Sequence, residues 1–148
     1  MVSFRGQSKG CLATFVERKT RFYVAIKMDD RTKDSMFLAI SSLYNTLTSK
    51  LLKTFTVDRG KEFACFEQVE NEFGIPMYFA DAYAAWQRGS NENSNGLLRE
   101  LFPKKTDLAK VTLDKLTEAL MLINNRPRKC LGFKTPFDMF KHEIRKLI

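Results

Sequence analysis

Histidine is almost absent from this chain of 148 residues, with His142 the single example. Cysteine is scarce as well. The three residues, Cys11, Cys65 and Cys130, are odd in number and far apart, with no Cys-x-x-Cys pair and no Cys/His cluster. These absences weigh against a zinc site and against a Ser-His-Asp or Cys-His enzyme, and they suit a reducing cytosol. No apolar run approaches the roughly 18–20 residues of a membrane span. Met1 to Gly10 is polar and basic without an apolar stretch, so no signal peptide is expected there. No internal repeat, low-complexity stretch or Gly/Ser linker divides the chain, and its length fits one domain at ~100–200 residues per domain. An apolar fraction of 44%, with 13 Phe, excludes a disordered tail. Any chemistry is left to carboxylates, with a metal if phosphates are involved.

What is present in excess is positive charge, +8 with a pI near 9.5. It is unevenly spread. Residues 1–28 carry +5, residues 29–60 carry +1, residues 61–100 carry −4 and residues 101–148 carry +6. Basic flanks suit a polyanion such as nucleic acid, whose phosphates release counterions when Lys and Arg replace them. An acidic centre repels that polyanion unless cations lie between. Ordinary solvated faces of Lys and Glu remain the alternative at this level.

Cys11–Glu17 and Phe22–Met28 read as the two strands of a hairpin around a polar turn, Arg18 to Arg21. Asp34–Leu47 has Met36, Ile40, Leu43, Tyr44 and Leu47 at helical spacing, with Thr32 or Asp34 as N-cap. Leu52–Val57 is a short strand stopping at Asp58-Arg59-Gly60. Lys61–Phe73 reads as a helix ending at Gly74. Met77–Ala80 reads as a strand and Tyr83–Gly89 as a loop. Ser90 or Asn91 then caps a helix to about Phe102, closed by Pro103. Thr112–Asn124 is a further amphipathic helix. Thr135-Pro136-Phe137-Asp138 opens the last one, whose apolar side is Phe137, Phe140, Ile144 and Leu147. Strand–helix–strand units after a hairpin imply a mixed α/β sheet covered by helices. Nothing N-terminal is expected to pair with the outer edge of the hairpin.

Two acids stand apart. Asp58 follows an apolar strand, and ligands of α/β sheets gather at the carboxyl ends of strands. Glu92 lies in the first turn of a helix, with thirty-three residues between the two. Arg99 follows Glu92 by seven positions, two helical turns, so both point the same way, and Asn95 is expected to share that face. Gly96 there allows close approach. Singly, an Asp-Arg-Gly after a strand is usually a turn, and a Glu in a first turn is usually a surface residue favoured by the helix dipole.

Longer strings are more specific. Thr14-Phe15-Val16-Glu17-Arg18-Lys19-Thr20-Arg21, Val57-Asp58-Arg59-Gly60-Lys61-Glu62-Phe63 and Trp86 to Arg99 (Trp-Gln-Arg-Gly-Ser-Asn-Glu-Asn-Ser-Asn-Gly-Leu-Leu-Arg) occur in order. Phe102-Pro103-Lys104 and Asn124-Asn125-Arg126-Pro127-Arg128-Lys129-Cys130-Leu131-Gly132-Phe133-Lys134-Thr135-Pro136 follow. In these the chain resembles the DDE transposases of bacterial insertion sequences, within the retroviral-integrase-like group, and most closely the IS-thirty type, over nearly its whole length. The resemblance implies an RNase H-like fold across residues 1–148, acting as a catalytic core for DNA cleavage and strand transfer. It implies Asp, Asp and Glu ligands for two Mg²⁺ (or Mn²⁺) ions, with Asp58 as the second Asp, Glu92 as the Glu and Arg99 as the basic residue after it. DNA, as transposon ends and target, is the implied partner, with homo-oligomers, no membrane, and a bacterial, nucleoid-associated cytoplasmic location. Trp86, Arg88, Asn91, Asn95, Arg99, Arg126, Arg128 and Lys129 are the candidate nucleic-acid contacts. Trp86 as a core-packed loop anchor, and the three basic residues as a solvated turn, are the plainer readings.

The chain departs from the family pattern at its start. The family's first Asp lies on the opening strand, just upstream of the position matched by Met1, so that strand is expected to be largely missing, together with the N-terminal helix-turn-helix domain. Asp29 and Asp30 follow the second hairpin strand and are not substitutes. The expectation is a core with little or no activity by itself. A non-catalytic remnant that binds DNA or pairs with an intact transposase is the alternative, and a nuclease on RNA–DNA hybrids is a third reading that the Gln87–Arg99 string disfavours.

Overall fold

The computed structural model describes residues 2–3, 9–47, 50–81 and 89–147. In chain order the elements are β1 (Val2–Ser3), β2 (Cys11–Val16), β3 (Tyr23–Met28), α1 (Lys33–Thr46), β4 (Phe55–Val57), α2 (Phe66–Phe73), β5 (Met77–Phe79), α3 (Gly89–Leu101), α4 (Leu113–Asn124) and α5 (Pro136–Leu147). β1, β2 and β3 form an antiparallel sheet in that order, with Val2 opposite Leu12 and Cys11 opposite Met28. β4 and β5 pair in parallel as a separate sheet, Phe55 opposite Met77.

The expected bare hairpin edge is thus corrected, because β1 covers the end of β2. β1 is only two residues long, and no ladder among the described residues joins it to β4.

The hairpin turn is fixed by one side chain. The Glu17 carboxylate accepts from the N–H groups of Lys19 at 3.0 Å and Thr20 at 2.7 Å, and from the Thr20 hydroxyl at 2.6 Å. Arg21, at φ 62°, takes the left-handed conformation that lets the chain reverse.

Side chains on β2 alternate across the sheet, and each face meets its own core. Cys11 and Ala13 pack with Met28, Met36, Ile40, Leu43, Phe55, Val57, Val69 and Met77 on the side of α1, α2, β4 and β5. Leu12 packs with Tyr23, Ala25, Leu98, Leu108, Leu116 and Ile123 on the side of α3 and α4. A strand buried on both faces reads as continuous apolar sequence, as Cys11–Ala13 does.

α1 starts where Thr32 accepts from Ser35 N–H, and α4 starts where Thr112 accepts from Lys115 N–H, at 3.2 Å in each case. Thr135 caps α5 in the same way, accepting from Asp138 N–H at 3.1 Å. Gly74, at φ 65°, closes α2 in the left-handed conformation.

Several expectations shift. The expected helix from Lys61 opens as a 3-10 turn over Lys61–Cys65 before α2. α3 already begins at Gly89, so Ser90 and Asn91 lie inside the helix rather than capping it. Leu52–Lys53–Thr54 is not part of β4. On α5 only Pro136 is fully buried. Phe140 stacks on Phe22 with ring centroids 4.2 Å apart, while Phe137 and Leu147 stay exposed. The expected loop at Tyr83–Gly89 lies outside the described residues up to its last position.

Candidate active site

β4 alternates buried Phe55, exposed Thr56 and buried Val57, then ends, so Asp58 leaves the strand at its carboxyl edge, half-buried. The Asp58 Oδ1 accepts from Gly60 N–H at 2.8 Å, the short Asx turn that Asp favours. Gly60 is held from below. A Cβ there would stand 2.6–2.7 Å from the carboxylate of Glu62, so the backbone rests directly on that group.

Glu62 is 1% exposed, and Arg31 Nη2 donates to its Oε1 at 3.0 Å. Its Oε2 has no hydrogen-bond partner among the described residues. The Glu62 hydrogen bond and charge push the Arg31 guanidinium further toward its charged form against the effect of burial, and the charge of Asp58 adds to this. Burial raises the pKa of the Cys11 thiol, with Asp30 next in effect and Glu62 contributing as well. Asp58 therefore stands over a buried carboxylate paired to a half-exposed arginine.

Sequence reading missed both members of that pair. Glu62 lies inside the quoted Val57–Phe63 string, and its neighbours Phe63 and Cys65 are core residues. A short 3-10 turn, which sequence periodicity does not announce, brings it inward with them.

Glu92 is exposed in the first turn of α3. The helix is tied to the sheet by Ser94 and Leu98, both 0% exposed, and by side-chain hydrogen bonds. Arg21 Nη1 donates to the Ser90 hydroxyl, Thr14 Oγ1 to Asn91 Oδ1 at 3.4 Å, and the Tyr23 hydroxyl to Asn95 Oδ1 at 2.6 Å. This corrects one expectation. Asn95 turns to the sheet with Asn91, and the outward face carries Glu92, Gly96 and Arg99. Burial raises the Tyr23 hydroxyl pKa well above its ordinary value, while a hydrogen bond with Thr14 and the charge of Arg99 oppose the rise.

A Cβ on Gly96 would meet nothing within 4 Å, so packing among the described residues does not demand glycine there. Asp30, like Asp29, stays at the head of α1, where its carboxylate accepts from the Thr32 and Ser35 hydroxyls at 2.7 and 2.6 Å. Among the described residues no group of three His, Cys, Asp or Glu side chains comes together to hold a metal. Asp58 and Glu92 are hard oxygen donors of the right chemistry for Mg²⁺. Two carboxylates fall short of the donor set of a two-ion centre.

Arg126, Arg128 and Lys129 come together after α4 and line a cavity of about 300 Å³ with Asn93 and Leu97 of α3. A second cleft of about 460 Å³ opens beside Asp58 and is lined by Arg59, Lys61, Phe63, Phe66 and Phe79 among others. Trp86 and Arg88 lie outside the described residues.

Solved structures with this arrangement of elements are retroviral integrase catalytic cores. The catalytic core domain of BIV integrase matches with a TM-score of 0.68 at 19% identity, over 94% of this chain and 97% of that one. The HTLV-2 integrase catalytic core domain, solved with magnesium in a trimeric form, matches with a TM-score of 0.66 at 20% identity, over 89% and 85%. The chain has the RNase H-like fold of those cores. No family model matches the chain.

By sequence the chain is similar to transposases of IS30-type insertion sequences. The transposase of IS30A of Escherichia coli is 39% identical over 139 residues, 94% of this chain and 36% of the relative. The transposase of IS1086 of Cupriavidus metallidurans is 34% identical over 132 residues, 89% of this chain and 39% of the relative. The chain thus spans little more than a third of the length of these relatives.

Proposed function

We propose that this chain is the catalytic-core part of a DDE-type transposase, in which Asp58 and Glu92 are two of the metal-binding carboxylates for cleavage and transfer of DNA strands. The observation that carries the proposal is the Asp58 carboxylate held by Gly60 N–H at the carboxyl end of β4, in an integrase-core fold whose α3 presents Glu92 and Arg99 outward. Such a centre, complete, uses two divalent ions to activate a water or 3′-hydroxyl and to stabilise the leaving oxygen. Here the residues' own parts are to hold an ion, through Asp58 and Glu92, and to seat the DNA backbone, through Arg99 and the basic turn after α4. The same reading makes Trp86, Arg88, Asn91 and Asn95 part of, or next to, the DNA surface. It takes the partner to be bacterial nucleoid DNA, bound by a homo-oligomer. No helix among the described residues is long and apolar enough to cross a membrane.

With no third carboxylate grouped with these two among the described residues, this chain alone should give little or no strand transfer or 3′-end cleavage. An assay on duplex oligonucleotides with Mg²⁺ or Mn²⁺ tests this, and product at ordinary enzyme concentrations would sink it. Any Mn²⁺ that binds should contact Asp58, Glu92 or both. Calorimetric binding that survives unchanged in the Asp58→Asn, Glu92→Gln double variant would contradict the assignment.

The short donor set favours a second reading, a non-catalytic DNA-binding or oligomerising protein that pairs with an intact transposase. DNA binding that persists without any metal dependence would support it over the first.

A further inference from the structure

The three cations after α4 are not equivalent. Arg126 is spent on Glu100, with Nη1 to Oε2 at 3.5 Å and both side chains largely exposed. Lys129 is exposed on a 3-10 turn. Arg128 is built in. Its N–H donates to Lys134 O at 3.0 Å, and its carbonyl accepts from Leu131 N–H at 3.0 Å and Phe133 N–H at 2.9 Å.

Gly132 and Phe133 stand consecutively in the left-handed region, at φ 62° and 65°. Glycine takes that conformation freely, but a phenylalanine does so at a cost. Phe133 is 71% exposed, so burial of its ring does not repay the strain. The loop holds the Arg128 main chain at three points regardless.

The Arg128 Nη1 atom is buried without a hydrogen-bond partner among the described residues. A desolvated guanidinium nitrogen with nothing to donate to is costly unless an acceptor arrives. It belongs to a residue that lines the 300 Å³ cavity, whose lining among the described residues has no carboxylate and includes Asn93, the neighbour of Glu92. That volume is at the low end for ligand sites and suits one phosphate with its sugar rather than a larger group.

We infer that the Asn93–Arg128 cavity is a fixed subsite for a single DNA backbone phosphate, seated by Arg128, which sets the register of the strand that runs over Glu92. Phosphate contacts of this kind position a nucleic acid without reading its sequence. The guanidinium fork suits two phosphate oxygens, which a lysine engages only as a point charge. The inference rests on the DNA reading for the source of the phosphate.

The test is a pair of titrations of the full chain, one with inorganic phosphate and one with a duplex oligonucleotide. Both are followed by amide shifts at Asn93, Leu97 and Arg128, and the duplex binding also by its salt dependence. Phosphate should shift those amides in the native chain and not in Arg128→Ala. Duplex affinity should fall about tenfold in Arg128→Ala, uniformly across sequences, with the salt slope reduced by about one. Arg126→Ala should cost less. Arg128→Lys, which keeps the charge and guards against a folding defect, should recover only part of the loss. Phosphate shifts at the cavity without duplex binding would keep the anion site and defeat the DNA reading. No shift at these amides with either probe, or equal losses in Arg126→Ala and Arg128→Ala, would overturn the subsite.

Discussion

Asn124 shows how much one side chain can hold. It is 5% exposed at the end of α4, its Oδ1 accepts from Tyr23 N–H at 2.9 Å, and its Nδ2 donates to Tyr23 O at 2.9 Å. The amide thus stands in for a strand neighbour at the start of β3. Asn124→Ala strands both backbone groups away from water and should cost about 2–3 kcal/mol, read as a lower urea midpoint with an unchanged slope. Gly60 sets a second limit. Its backbone angles, φ −65° and ψ 146°, suit any residue, so the constraint is contact with Glu62 alone. Gly60→Ala must push the Glu62 carboxylate off Arg31. It should cost about 1–3 kcal/mol, the range for a small group forced into packed space. Gly60→Ala costing less in a Glu62→Ala background than in the native chain, in the same urea series, would confirm where the strain falls. Ser94 makes the opposite case, because its buried Oγ has no hydrogen-bond partner among the described residues. Ser94→Ala should leave stability equal or slightly raised.

At the scale of elements, the β2–β3 turn depends on one ionised acid. Burial works against the Glu17 carboxylate, but the hydrogen bonds from Thr20 and from the backbone of Lys19 and Thr20 outweigh it and hold its pKa below the ordinary value. A depressed acid stabilises the fold at pH above its unfolded value, and that contribution is lost as pH falls through the folded value. The melting temperature of the native chain should therefore fall between about pH 6 and pH 3, and Glu17→Gln should show a smaller fall. An equal fall in both would show that the turn does not depend on the charge. The hairpin, α1 and α4 were legible in the sequence because their signals are local: β-rich runs around a polar turn, and Thr32 and Thr112 at helix starts. The start of α3 was not, since the hydroxyl and amide of Ser90 and Asn91 are spent on Arg21 and Thr14 from β2 and the segment after it, contacts that no sequence window contains. Asp58 and Glu92 were singled out by motif strings. The Arg31–Glu62 pair beneath Asp58 was not, because an acid in a polar string gives no local sign that tertiary packing will bury it.

Across the whole molecule, the sheet is where the chain departs from a continuous layer. β2 and β3 pair over six residues each, with helices on both faces, while β4 and β5 pair over three and are joined to the other sheet by side chains rather than by a ladder. Phe15 meets Phe55 across that junction with ring centroids 6.0 Å apart, and Met36, Ile40 and Val69 pack on the same cluster. A two-stranded sheet is marginal by itself, so the half bearing Asp58 depends on this apolar contact. It should open in a separate, less costly step than the hairpin half. In native-state hydrogen exchange, the amides of Phe55 and Ala80, which donate to Pro76 and Val57 across the parallel pair, should exchange at a lower free energy than the paired amides of β2 and β3. Denaturant should lower the opening free energy of the Phe55 and Ala80 amides little, since local opening exposes little surface, and that of the β2 and β3 amides steeply. If both sets exchange only through global unfolding, the two sheets form one cooperative unit, and Asp58 rests on as firm a frame as Glu92. If they separate as expected, ligands that bridge Asp58 and Glu92 should raise protection mainly in β4 and β5. That pattern would mark the carboxylate pair as the joint between the two halves.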